Sequence, residues 1–244
     1  GGGLITVPFL FFIFETLNLD KSFIMHLAVG TSFSIIIPTS LVSVFTHRKH
    51  ESVDINIIKS YGFFVIVGVS SGTLFAALLK TKALLIFFTI VVYFLGAYLL
   101  NFKDKTENLK TNFNLLPRII FGFISGFISA PMGIGGAVMN VPILRYFGYP
   151  INKAIGSAAA IGFIIASFGA IGFLVTGSFM NVNLPLSIGF INIPAFLIFI
   201  PITAFMARIG ARTTHKLDKS KLQRLFGIFL YIIGTVFLYR YLSM

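Results

Sequence analysis

Apolar runs recur along the chain, separated by short polar turns, and most have the length needed to cross a bilayer. The first is Leu4–Leu17, closed by the turn Asn18-Leu19-Asp20-Lys21. Three more cover Leu27–Phe45, with Pro38 inside it, Tyr61–Leu79 and Ala83–Leu100. A fifth extends from Pro117 to Phe147 and is interrupted over Met132–Gly136. Lys153–Val175, Leu184–Ala207 and Leu225–Tyr241 complete the series, with Pro194 and Pro201 as expected kinks in the seventh. The runs are continuous rather than alternating, which favours helices over a barrel. The pattern predicts an all-α polytopic membrane protein with about eight transmembrane helices.

The interruption in the fifth run reads P-M-G-I-G-G-A-V-M-N-V-P-I-L over Pro131–Leu144. A lipid-facing helix has no use for so many breakers, since glycine costs about 1 kcal/mol in a helix interior and proline about 3. A second version opens the chain as G-G-G-L-I-T-V-P-F-L. At an offset of 134, Gly1 meets Gly135, Gly2 meets Gly136, Thr6 meets Asn140 and Pro8 meets Pro142. Further on, Ala28-Val29-Gly30-Thr31-Ser32 matches Ala154-Ile155-Gly156-Ser157-Ala158 at an offset of 126.

The chain therefore reads as two four-helix repeats, residues 1–101 and 117–244, joined by a polar linker at 102–116. Four spans per repeat predicts halves that enter from the same side, related by an axis along the membrane normal. The second copy of the motif is preceded by the helical segment Arg118–Ala130. By that measure the first copy is expected to lack roughly 15–20 residues of leading helix.

Charged residues make up 11% of the 244 residues, against roughly 25% in a soluble domain. Water is therefore not the main solvent. The net charge of +12 lies in short clusters between apolar runs, as expected of loops facing an anionic membrane surface rather than nucleic acid. Eight alternating spans put Lys21, Lys80, Lys82, Arg145, Lys153 and the 208–224 cluster on one side. Arg48, Lys49, Lys59, Lys103, Lys105, Lys110, Arg118 and Arg240 fall on the other. That is a near-even split, leaning toward a cytoplasmic 208–224 cluster with both termini outside.

In hydrocarbon, irregular backbone survives only when it is buried in protein or lines a cavity. A helix broken inside the membrane exposes the N–H groups and positive dipole end of its second half, which together form an anion site. The candidate substrate-binding residues are Gly1, Gly2, Gly3, Thr6, Pro8, Gly133, Gly135, Gly136, Asn140 and Pro142. Thr31, Ser32 and Ser157 join them as small hydroxyl donors near helix starts. For isolated glycines, helix packing is the simpler explanation. Two matched copies, each followed by Val-Pro, favour a ligand.

Enzyme chemistry has little support. The Ser-Gly pairs in Gly68–Gly72 and Gly122–Gly126 lack a mid-span histidine base or carboxylate pair. His47 and His50, three apart at a helix end, lack the rest of a metal site. Nothing calls for a cofactor or for nucleic acid. The expected partners are a small inorganic or organic anion and membrane lipid, with a homo-oligomer left open.

The paired stretches G-G-G-L-I-T-V-P-F-L and G-F-I-S-G-F-I-S-A-P-M-G-I-G-G-A-V-M-N-V-P-I-L resemble the duplicated signature of the TauE/SafE sulfite exporter family. A-V-G-T-S and A-I-G-S-A resemble its second motif, and Gly210-Ala211-Arg212 its approach to the last helix. The chain departs from the family pattern at Ala130-Pro131-Met132 and at Ala137. The resemblance implies a bacterial or archaeal cell-membrane permease for a small anion, exporting sulfite or a related sulfur oxyanion or organosulfonate. An uncoupled anion channel and a non-transporting membrane scaffold subunit are the alternatives.

Overall fold

The computed structural model describes residues 2–49, 51–101, 113–214 and 219–243. Among these residues the chain forms α1 (Gly3–Thr16), α2 (Ile24–Arg48), α3 (Ile55–Leu78), α4 (Thr81–Asn101), α5 (Leu115–Met132) and α6 (Ala137–Tyr146). Then come α7 (Ile151–Phe179), the two-residue strands β1 (Ser187–Ile188) and β2 (Ile191–Asn192), α8 (Ile193–Thr214) and α9 (Lys219–Ser243). Six helices are long and apolar enough to cross a membrane: α2, α3, α4, α5, α7 and the Gln223–Ser243 part of α9.

The break falls where the glycines place it. α5 ends at Met132, and Gly133 and Gly136 take left-handed φ of +63° and +68° before α6 starts. After the break the chain does not resume its direction. Phe147, just past α6, lies against Phe113 ahead of α5, with ring centroids 4.4 Å apart, and against Phe121 in α5 at 5.6 Å. α5 and α6 are the arms of a re-entrant hairpin, where an interrupted but crossing helix was expected. Hydropathy does not distinguish the two, because both arms are apolar in either case.

That one turn inverts everything after it. Gly30 meets Phe173, Gly169 meets Phe33, and Gly156 near the start of α7 meets Ser52 beyond the end of α2. α2 and α7 are therefore antiparallel. So are α4 and α9, which meet at Lys82 with Tyr241, Phe88 with Phe237, and Leu99 with Gln223. α8 runs parallel to α2, through Thr31 with Asn192 and Thr39 with Thr203. α2 and α4 thus run opposite to α7 and α9, in place of the same-direction arrangement predicted from an even span count.

The molecule has two faces. The first gathers the α1–α2 and α3–α4 turns, the end of α7, the start of α8 and the end of α9. The second gathers the ends of α2, α4, α6 and α8 and the starts of α3, α5, α7 and α9. Lys21, Lys80, Lys82 and Arg240 lie on the first face. Arg48, Lys49, Lys59, Arg118, Arg145, Lys153, Arg208, Arg212, Lys219, Lys221 and Arg224 lie at helix ends on the second. Among the described residues the near-even split expected from alternating spans is corrected to a strongly one-sided one; Lys103, Lys105, Lys110 and Lys216 lie outside them.

Glycines set the closest packing. Gly68 and Gly72 of α3 meet the backbone at Phe123 and Phe127, while Gly122 and Gly126 of α5 meet Tyr61 and Val65. Both helices thus present a small-x-x-x-small face, the pattern that lets helix backbones approach in lipid. The Ser-Gly pairs considered for catalysis belong to this interface. α3 is started by Asp54, whose carboxylate accepts from the N–H groups of Asn56 (3.0 Å) and Ile57 (3.4 Å).

Candidate functional site

The two glycine motifs lie side by side. Gly2 caps α1 and Gly136 caps α6. A Cβ on Gly3 would collide with the Gly133 carbonyl and come within 2.8 Å of Ile134 Cα, so the first motif packs directly on the second. From this meeting point α1 runs to the first face, where Glu15 pairs with Arg240. α6 runs to the second face. The positive N-terminal end of α6 therefore lies inside the protein, with first-turn N–H groups that no intrahelical carbonyl satisfies, and the start of α1 packs against the turn that precedes it.

The offset-134 pairing carries into geometry. Thr6 Oγ1 donates to the Gly2 carbonyl at 2.9 Å, and Asn140 Nδ2 donates to the Gly136 carbonyl at 2.8 Å. Asn140 is fully buried, and its Oδ1 accepts from Tyr61 (2.7 Å) and Ser125 (2.9 Å). The side chain thus ties α6 to α3 and α5. Ser32 Oγ donates to the Gly133 carbonyl at 2.9 Å and anchors the break to α2.

A cavity of about 600 Å³ extends from the start of α6 toward the second face. Gly2, Thr6, Gly135 and Ala137 line its deep end, with Ile36 and Gly162 beside them. His47 and Ala207 line it near the second face. Its polar side chains are Thr6, Thr39, Ser40, Ser43, His47 and Thr203, and among the described residues no carboxylate lines it. Thr39 Oγ1 and Thr203 Oγ1 are 3.1 Å apart, linking α2 to α8. The backbone N–H groups and positive end at the start of α6 suit an anion.

Of the residues expected to bind substrate, Gly2, Thr6 and Gly135 line this cavity. Gly3, Gly133, Gly136, Ser32 and Asn140 stand behind it and shape the break. Pro8 and Pro142 sit inside α1 and α6, and Gly1 and His50 lie outside the described residues. Sequence reasoning missed Thr39, Ser43 and His47. Their i, i+4, i+8 spacing on α2 is legible, but Thr46–Lys59 reads as a polar loop whereas α2 continues to Arg48.

Thr31 and Ser157 have a different place. Thr31 Oγ1 accepts from the Asn192 N–H at 2.9 Å, and Asn192 Oδ1 accepts from Ala195 N–H at 3.0 Å at the start of α8. Ser157 Oγ accepts from the N–H of Asp54, the cap of α3, at 3.0 Å. Each hydroxyl thus clamps the cap residue of a helix in the opposite half. Neighbouring Gly30 and Gly156 let the carbonyls of Phe190 and Ser52 approach closely.

Replacing either hydroxyl strands a backbone N–H, at a cost of about 1–3 kcal/mol. Thr31→Val is expected to raise amide hydrogen exchange around residues 190–195, and Ser157→Ala around residues 52–57. The apparent anion affinity should stay unchanged in both variants. Unchanged exchange in those segments would contradict the clamp.

The pattern of the sulfite exporter TauE/SafE family matches residues 1–237. The chain belongs to the TauE/SafE sulfite exporter family. It is 31% identical to a probable membrane transporter protein of Haemophilus influenzae over 235 residues, 96% of this chain and 89% of the relative. It is 25% identical to a probable membrane transporter protein of Methanocaldococcus jannaschii over 250 residues, 98% of this chain and 88% of that one. A probable membrane transporter protein of Bacillus subtilis, YunE, is 24% identical over 262 residues, covering 98% of this chain and 90% of the relative. No solved structure gives a significant match. Membership in TauE/SafE and a bundle of membrane-length apolar helices make this a multi-pass membrane transporter.

Proposed function

We propose that this TauE/SafE protein is a secondary carrier that exports a small anion, sulfite or a related sulfur oxyanion or organosulfonate, across the cell membrane. The observation that carries the reading is the break between α5 and α6, whose second half begins at Gly136 beside a cavity that no carboxylate lines among the described residues. The anion is held at Gly135 and Ala137 by backbone N–H groups at the start of α6.

The architecture behind it is a pair of inverted repeats, with α1–α4 corresponding to α6–α9 about a pseudo-two-fold axis in the membrane plane. In carriers built this way, substrate sits at the repeat interface between discontinuous helices. Alternating access then moves one repeat against the other around the site.

Direction follows from charge. Short loops rich in Lys and Arg face the cytoplasm, which makes the second face cytoplasmic and opens the cavity inward. A membrane potential negative inside moves an anion outward, by about 2.3 kcal/mol per charge at 100 mV. Export of this kind requires no coupling ion.

Purified protein in liposomes tests the reading. Sulfite flux that saturates and follows its gradient is the expected result. A current linear in voltage and indifferent to the anion would assign a channel instead. No movement of any small anion by correctly inserted protein would contradict transport altogether.

A further inference from the structure

The first face carries few cations, and they gather in one place. A basin of about 780 Å³ on this face is lined by Lys21, Lys80, Lys82 and Arg240, with Ser22, Thr81 and the α3–α4 turn completing its wall. Lysines that only anchor a protein at the interface have no reason to converge. Here they come from the α1–α2 turn, the α3–α4 turn and the start of α4.

The arrangement is held in place. Thr81 is buried and donates to the Ser22 carbonyl at 2.7 Å, which fixes the Lys21 turn against the start of α4. Lys82 Nζ lies 5.0 Å from the Tyr241 ring centroid. The carboxylate in the lining, Glu15, accepts from Arg240 Nε at 2.9 Å and is thereby neutralised. Lys21, Lys80 and Lys82 remain in the lining of one basin, beside the positive N-terminal end of α4, while Asp20, next to Lys21, accepts from the Ser22 N–H at 2.8 Å. Like charges placed together repel, and a bound anion removes that repulsion.

We propose that this basin is a second anion site, in which Lys21, Lys80 and Lys82 hold an oxyanion at the face opposite the cavity mouth. Its place on the exit side of a transport route rests on the carrier reading, whereas the binding does not. A free inorganic oxyanion and the phosphate of an anionic lipid headgroup share the chemistry it recognises.

The test uses the full chain carrying Gly135→Leu, which blocks the central cavity, with and without K21Q/K80Q/K82Q. Calorimetric titration with sulfite at low salt reads the free anion, and native mass spectrometry with phosphatidylglycerol reads the lipid. Loss of three exposed charges is expected to weaken the bound anion about tenfold. K21R/K80R/K82R, which keeps the charge, should restore binding. Weakened sulfite binding assigns the basin to the free anion, and loss of phosphatidylglycerol alone assigns it to lipid. Equal binding of both probes by parent and triple variant would overturn the proposal. Sulfite binding here without flux in the unmutated protein would retain the basin while removing the carrier reading.

Discussion

Gly135→Leu is expected to abolish sulfite flux while leaving the protein folded and inserted. Gly135 lines the deep end of the cavity, where a Cβ would lie 3.2 Å from Ile36 Cγ2 and 3.8 Å from the Gly162 carbonyl. The first carbon of a side chain is therefore accommodated after a small shift of a flexible isoleucine. The rest of a leucine has only the cavity to enter, where it covers the start of α6. Displacing a positioned group by an ångström can cost about two orders of magnitude in rate, and a leucine displaces the anion by more. Gly135→Ala should retain part of the flux, giving a graded series. Unchanged flux in a folded, inserted Gly135→Leu protein would remove the second glycine motif from the site.

Gly133→Val is expected to produce a large loss of stability. Gly133 has φ of +63°, a region that costs an L-residue roughly 1–2 kcal/mol and a β-branched one more. Its new Cβ would also lie 2.7 Å from Val7 Cγ2 and 3.1 Å from the Val29 backbone. Overpacking of that kind adds about 1–3 kcal/mol. The combined penalty, about 2–5 kcal/mol, falls where α1, α2 and the re-entrant turn converge. Unfolding of purified protein in mixed micelles should shift accordingly, with Gly133→Ala intermediate. Wild-type stability in Gly133→Val would mean that the turn repacks freely and does not rigidly place the site.

Much of this was legible in the residues. The breakers between Met132 and Gly136 locate the end of α5 and the start of α6. The matched positions Thr6 and Asn140 make equivalent bonds to Gly2 and Gly136. The fold-back of α6 was not legible, because hydropathy reports depth and carries no direction. The Phe113–Phe147 and Phe121–Phe147 contacts show the chain returning to its face of origin. Misreading that turn misplaces every later loop, which is why the charge asymmetry stayed hidden.

The hydroxyls divide in the same way. Small donors near a helix start suit either an anion or a neighbouring backbone, and sequence does not choose between them. For Thr31 and Ser157 the partners are the N–H groups of Asn192 and Asp54, residues distant in sequence that inversion of the second half brings close. Thr39, Ser43 and His47 form a stripe along one helical face, and their role emerges once α8 supplies Thr203 opposite.

The central claim is that a small anion crosses this protein through the cavity beside the break between α5 and α6. A sulfite concentration jump on a solid-supported membrane tests it most directly, with wild type and Gly135→Leu measured in parallel. The account predicts a saturable charge movement in the wild type that the variant lacks. An absent wild-type response, or an equal response from both proteins, would contradict it.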